Sequence, residues 1–248
     1  MRGATTHQAS RAVVWHDLEC GPYRADLGVW EELAGAADGS ALDLGCGTGR
    51  VALHLAAAGH AVHGVDRDPH LVAEVVERAS RERLPATAET ADVTDLDLDR
   101  KGFALAIAPM QLIQLLGGPG ERRRCLGAVA RHLAPAGQLA LAIADSAAVE
   151  IGTSPPLPDV REVDGWIYSS LPLGVREADG GIVVTRLRQV VSPQGSLTEE
   201  RADVRLASLS AAKLEAEAEA CGLRSQRRID VLPTPDHVGS TVVVTEAG

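Results

Sequence analysis

The chain has 248 residues, with 24 Lys and Arg against 34 Asp and Glu, a net charge of -10 and 45% hydrophobic residues. That length suits one large α/β domain, or one domain with a sizeable insertion, burying its own core. The acidic balance, with no long run of like charge, excludes an extended phosphate backbone as the expected partner, because such binding rests on clustered cations.

The opening "MRGATTHQASRAVVW" has no apolar core of a leader, and runs such as "LALAIA" (139–144) are far too short to span a bilayer. A soluble, cytoplasmic protein with no membrane partner is expected. Cys20, Cys46, Cys125 and Cys221 are scattered, without a C-x-x-C pair or a His at zinc-ligand spacing. They read as buried thiols in a reducing compartment, with no metal site.

Residues 1–38 are expected to form a helical cap, although the first dozen carry no core pattern and are expected to be disordered. "ALDL" (41–44) reads as a strand leading into a helix that starts near Arg50 and closes before Gly59. "AVHGV" (61–65) is a strand ending at Asp66, and Pro69 opens a helix to about Arg83, since Pro suits a first helical turn. "TAETAD" (87–92) is a weaker strand. "FALAIAP" (103–109) and "QLALAIA" (138–144) read as buried strands, separated by the helix 121–133 and a turn "APAG" (134–137). Alternation at this spacing predicts a mostly parallel sheet covered on both faces over 40–146.

Between 160 and 207 the period changes to two. "REVDGWIYSSL", "GIVVTRLRQVV" and "LTEERADVRLASL" are separated by "ADGG" and "SPQG", which predicts an inserted antiparallel meander. The segment 210–248 returns to the core with a helix capped by Ser210 and stopped by Gly222, then two strands at 224–232 and 240–247.

Glycines in a strand-to-helix turn let the turn be tight and open backbone N–H groups to a ligand. Gly45, Gly47 and Gly49 in "ALDLGCGTGR" therefore mark a nucleotide-like site beyond the carboxyl ends of the strands. The run from Gly47 to Ala52 also fits the dinucleotide pattern G-x-G-x-x-A, with Asp66 at 19 residues after Gly47. An NAD-linked oxidoreductase is thus a rival reading, though no Tyr-Lys pair at helical spacing supports it. Asp43, Asp66 and Asp92 stand around three strand ends, and such an electronegative pocket favours a ligand with positive charge and diol donors over a pyrophosphate.

The ordered motifs "LDLGCGTGR", "VHGVDRDPHLV", "ADVTDLDL", "FALAIAPMQLIQLL" and "HLAPAGQLALAIAD" resemble those of the class I S-adenosylmethionine-dependent methyltransferases, over roughly residues 40–146. The resemblance implies a Rossmann-like fold, a seven-stranded mostly parallel sheet with an antiparallel last strand, carrying the inserted meander. It implies S-adenosylmethionine as cofactor, with Asp43, Gly45, Cys46, Gly47 and Gly49 around its methionine part. Asp66 would hold the ribose and Arg67 lie beside the adenine, with Asp92 and Val93 facing the adenine amino group and ring. Ala108 and Gln111 would line the methyl-donor end.

The three Trp, two Tyr and one Phe are unevenly placed: Phe103 alone lies in the core strands. Trp15, Tyr23, Trp166 and Tyr168 lie in the cap and the meander, the regions that close over the donor in similar methyltransferases, and are candidates for the acceptor pocket. The alternative is that these rings staple cap and meander to the sheet. Should the acceptor have to lose a proton, His16, Tyr23, Asp145 and His237 are candidate bases, of which Asp145 is better placed because it follows a strand end. "APMQ" replaces the Asn-Pro-Pro or Asp-Pro-Pro pattern of amino methylation on DNA or protein glutamine, and no Pro-Cys pair supplies a thiolate. The expected reaction is methyl transfer to N, O or C of a small metabolite; a protein that binds the donor without transferring methyl is the other reading. A homodimer is one arrangement open to the meander's edge strand.

Overall fold

Parallel strands covered on both faces are largely apolar, and the central strands here follow that rule apart from Asp43 in the first and His63 and Asp66 in the second. A computed structural model describes residues 3–144, 157–234 and 238–248. Two helices, α1 (Gly3–Glu19) and α2 (Leu27–Ala36), precede the strand β1 (Ala41–Leu44), whose four residues are all buried. Then follow α3 (Arg50–Ala57), β2 (Val62–Asp66), α4 (Pro69–Glu82), β3 (Ala86–Thr90), a 3-10 turn (Val93–Asp95) and β4 (Phe103–Ala108). After β4 come α5 (Leu112–Leu115), α6 (Pro119–Ala130) and β5 (Leu133–Ile143).

A second sheet is built from β6 (Asp159–Val163), β7 (Trp166–Ala178), β8 (Gly181–Val191) and β9 (Leu197–Ala207). The chain returns through α7 (Ala211–Glu219) to β10 (Leu223–Val231) and β11 (Ser240–Ala247). The main sheet has the order β10-β11-β5-β4-β1-β2-β3, and the second is β6-β7-β8-β9. In the main sheet only β11 runs against its neighbours, pairing antiparallel with both β5 and β10. The expected Rossmann-like arrangement with one antiparallel last strand is therefore found.

The strand order reverses between β1 and β4, where an open α/β sheet leaves a crevice at its carboxyl edge. Register brings chemistry to that edge: Asp43 lies opposite Gly64 on one side and Ile107 on the other. The sequence reasons for the helices are local. Asp68 caps α4 by accepting from the His70 N–H at 2.9 Å, with Pro69 in its first turn. Ser210 caps α7.

Three expectations are corrected. A disordered first dozen residues is not found from Gly3 onward, since α1 begins there. "APAG" is not a turn between helix and strand but the bulged start of β5, where Ala136 has φ 59 and the pairing with β4 slips between Phe103 and Leu105. "REVDGWIYSSL" is two strands, because Asp164 (φ 51) and Gly165 (φ 77) make a tight hairpin between β6 and β7. No helix among the described residues is long and apolar enough to cross a membrane.

The returning helix is locked by a buried pair in which Arg122 of α6 donates twice to Glu217 of α7, both at 2.7 Å. Glu217→Ala, which leaves that guanidinium buried and alone, is expected to lower the unfolding free energy by about 3–5 kcal/mol in urea titration. The double change Arg122→Met/Glu217→Leu is expected to lie much nearer the wild type.

Candidate functional site

The loop between β1 and α3 is built from left-handed residues: Gly45, Gly47 and Gly49 have φ of 63, 56 and 88. A Cβ on each would also collide with packed side chains. At Gly47 it would lie 2.0 Å from His16 Nε2, and at Gly45 2.8 Å from Leu112. The glycines thus let α1 and α5 close directly onto the loop. The loop's N–H groups are partly spent within the chain: Gly47 N–H donates to Asp66 Oδ2 at 2.9 Å, and Gly49 N–H to the Cys46 carbonyl. The expectation that these donors lie open to a ligand is corrected in those two places. A loop whose central N–H is committed to a carboxylate has little to offer a pyrophosphate, which argues against the dinucleotide reading.

The acids come together as the strand ends dictate. Asp66 ends β2, its Oδ1 accepting from Asp68 N–H at 3.0 Å, and its carbonyl accepts from Ala91, next to Asp92. Asp92 is exposed and accepts from the Thr94 N–H and hydroxyl, which hold its carboxyl below the usual range. Arg67 is exposed close enough to act on Asp92, and Val93 is buried in the core. Asp43 is fully enclosed. Its carboxyl accepts from the Ala52 N–H, while Oδ1 has no partner, and burial pushes its pKa up to about 7 against the pull of Arg50. An orphaned, buried carboxylate oxygen behind a glycine loop is what a cationic or multiply donating ligand would satisfy.

Cys46 is buried, and burial raises its thiol far above the ordinary value, so it packs rather than reacts. Ala108 is buried at the end of β4. Beyond it, Met110 (φ 49) and Gln111 (φ 61) are two successive left-handed residues without a glycine. Such backbone costs of the order of 1–3 kcal/mol per residue, and persists where the surroundings fix it at a functional edge.

Above the loop lies α1. His16 Nδ1 meets Thr48 Oγ1 at 3.1 Å, and that hydroxyl donates to Asp17 Oδ1 at 2.7 Å. Thr48 has therefore given its hydrogen away and accepts from His16 Nδ1–H, which leaves a lone pair on Nε2 beside Gly47. Burial lowers the His16 pKa, opposed by Asp66 and Asp17. Asp17 also takes Arg78 at 2.6 Å and Arg161 at 2.9 Å; burial alone would raise its pKa, and these donors hold it below the ordinary value. Arg50 fixes the rest of the cap, gripping Asp26 through both oxygens at 2.6 and 2.7 Å and lying 5.2 Å over the Tyr23 ring.

Of the aromatic candidates, Trp15 and Tyr168 are buried against each other, edge to face at 5.2 Å, and join α1 to β7. That contact is the stapling alternative. Trp166 is half-buried under Arg11, 5.7 Å from its ring. Tyr23 is buried, bonded to Ser240, and burial raises its phenol pKa, so it stays protonated. Asp145 and His237 lie outside the described residues.

Sequence reasoning missed Asp17, Arg78 and Gln114. Gln114 donates to the carbonyls of Ala144 and Ala207, both at 3.0 Å, and accepts from Ala144 N–H at 2.8 Å. Their partners are 30 to 93 residues away for Gln114, so no local pattern announced them.

Residues 41–137 match the family model described as a methyltransferase domain. The fold is similar to a sugar N-methyltransferase from Streptoalloteichus sp ATCC 53650, at TM-score 0.73 and 21% identity, over 94% of this chain and 90% of that one. It is also similar to an amino pentose methyltransferase from Micromonospora echinaspora, at TM-score 0.62 and 22% identity, over 98% and 97% of the two chains. A stretch of 52 residues is 50% identical to hemagglutinin 1 of Eikenella corrodens, and the match spans 21% of this chain and 17% of that protein.

The enclosed Asp43 makes the ligand-free protein sensitive to pH. The folded carboxyl titrates near 7 and the unfolded one near 3.8, so the folded state holds the extra proton between them. Its contribution is fully present below that window and is lost as pH rises through 7. Asp43→Asn is therefore expected to gain melting temperature over the wild type progressively from pH 5 to 8. A margin that does not change with pH, by scanning calorimetry, would place the titration elsewhere.

Proposed function

We propose, from the match of residues 41–137 to the methyltransferase-domain family model, that the chain is a class I S-adenosylmethionine-dependent methyltransferase acting on an amino group of a small-molecule acceptor. The single observation that carries this reading is the orphaned oxygen of Asp43 behind the glycine loop, with Asp66 and Asp92 at the neighbouring strand ends. The donor brings an ammonium, a sulfonium, a ribose diol and an adenine amino group, which is the complement of three acids. Amino groups as targets are supported by the neighbours described as a sugar N-methyltransferase and as an amino pentose methyltransferase.

In this reading Asp43 receives donor hydrogens at the methionine end, Asp66 offers its free lone pairs to the ribose, and Asp92 and Val93 flank the adenine. Ala108, Met110 and Gln111 form the wall at the methyl end. The donor supplies an activated methyl group for in-line displacement, so the protein's share is alignment and exclusion of water. An amine attacks only when its lone pair is free. His16, kept neutral by burial and with Nε2 unengaged, is the described residue suited to take a proton from the acceptor. Tyr23 is assigned a packing role, and Trp166, which carries Arg11 over its ring and packs against the cluster around α1, is the ring assigned to the acceptor.

Calorimetric titration with S-adenosylmethionine, S-adenosylhomocysteine and NAD is expected to show binding of the first two alone. Asp66→Ala is expected to weaken donor binding at least tenfold, since a charged hydrogen-bonding group contributes roughly 1.5–3 kcal/mol. Unchanged affinity in a folded variant would remove Asp66 from the pocket. Trp166→Ala is expected to raise the acceptor KM and spare donor affinity; equal loss of both would return Trp166 to a structural role.

A further inference from the structure

Thr48 is the one residue between Gly47 and Gly49 of the glycine loop, and its side chain is buried. Its hydroxyl lies between two groups that arrive on α1. It donates to Asp17 Oδ1 at 2.7 Å and meets His16 Nδ1 at 3.1 Å. A buried hydroxyl needs one partner, and Asp17 supplies it. The second contact, to His16, is beyond what packing requires.

The directions of these bonds follow from the charge on Asp17. Arg78 donates to both of its oxygens, at 3.2 and 2.6 Å, and Arg161 reaches from the inserted sheet to donate to Oδ2 at 2.9 Å. A carboxylate held in this way is ionised and has no hydrogen to give. The hydrogen between Oδ1 and Oγ1 therefore belongs to Thr48, whose oxygen turns only lone pairs toward His16. Nδ1 must carry the ring's proton, and the neutral imidazole keeps its free lone pair on Nε2. That nitrogen lies against the loop: a Cβ on Gly47 would be 2.0 Å from it, and it has no hydrogen-bond partner among the described residues. Of the charged groups around the ring, Asp66 and Asp17 favour its cationic form, while Arg50 and Arg78 oppose it.

We infer that Thr48 is a positioning residue for His16: held by Asp17, it fixes the Nδ1–H tautomer and the orientation of the ring, so that Nε2 is the atom that takes the acceptor's proton. The inference rests on the reading of His16 as the base. In that step an N–H bond of the acceptor ammonium breaks, its electron pair stays on nitrogen as the free lone pair, and the hydrogen becomes the Nε2–H of an imidazolium. Nδ1 keeps its own hydrogen throughout, and Asp17, one hydroxyl away, stays ionised. A side chain that the loop could hold for its size alone thus decides which nitrogen is basic.

Long-range proton–nitrogen correlation spectra of the full chain, labelled in histidine and recorded at pH 8, read the tautomer directly. His16 is assigned as the ring absent from His16→Gln. The wild type is expected to favour protonated Nδ1 and bare Nε2 by about tenfold or more, the bias that one buried hydrogen bond gives. Thr48→Val keeps the shape and loses the hydroxyl, and is expected to lower that ratio by about threefold or more, while Thr48→Ser brings it back to within about twofold of wild type. A loop-packing role alone would leave the ratio where it is. Thr48→Ala makes the same test should Thr48→Val fail to fold. A wild-type ring with its proton on Nε2 overturns the inference, and so does a ratio that loss of the hydroxyl leaves unchanged. Neither result needs an acceptor or a bound donor, so the inference can fail while calorimetric binding of S-adenosylmethionine succeeds, and the reverse.

Discussion

Asp17 stands on a helix that belongs to neither sheet, and its carboxylate accepts hydrogens from both sides. Thr48 reaches it from the glycine loop, Arg78 from α4 and Arg161 from β6. Burial works against that charge, and the surrounding donors outweigh it. Breaking a half-buried charge cluster by removing its centre strands the donors as well, so the arrangement is held as a unit. The position of α1 over the crevice, and with it the placing of His16 on Gly47, follows from this contact.

A second set of contacts extends the helix toward the inserted sheet. Glu19 accepts from Arg188 at 2.6 and 2.8 Å and from Ser170 at 2.7 Å, while Val14, Trp15 and Leu18 pack with Tyr168 and Val190. The cap, the loop and the second sheet therefore share one helix. The apolar contacts supply most of the attraction and the ion pairs fix the register, because an apolar stripe alone would let the helix slide.

Much of this was legible in sequence, and what was not has physical reasons. Short runs that are apolar, as in "FALAIA", or apolar but for one acid, as in "ALDL", announce themselves as strands buried on both faces, and 240–247 coincides with β11. Pro69 and Ser210 mark helix starts because capping is local. The hairpin at Asp164–Gly165 was present as a Asp-Gly signal but hidden in an alternating run that continued across it. The bulge at Ala136 depends on pairing with β4, which no local rule contains. In the site, the acids follow from strand ends, whereas the loop glycines owe their necessity to His16 and Leu112 arriving from elsewhere in the chain. The aromatic residues were recognised as a group; that Trp15 and Tyr168 satisfy each other needed the tertiary structure.

Gln114 binds the last described residue of the main sheet before the insertion, Ala144, and the final residue of β9, Ala207, through one amide nitrogen. Two carbonyls within 3.0 Å of a single atom lie close together in space, so the chain leaves the core and re-enters it through the same doorway. An excursion that closes on itself adds little constraint to the frame it departs from, and lengthening such a loop adds only slowly to its closure entropy. The second sheet is in that sense an interchangeable module. Away from the face that holds α1, its strands can diverge in length and surface while β5 and α7 keep their places.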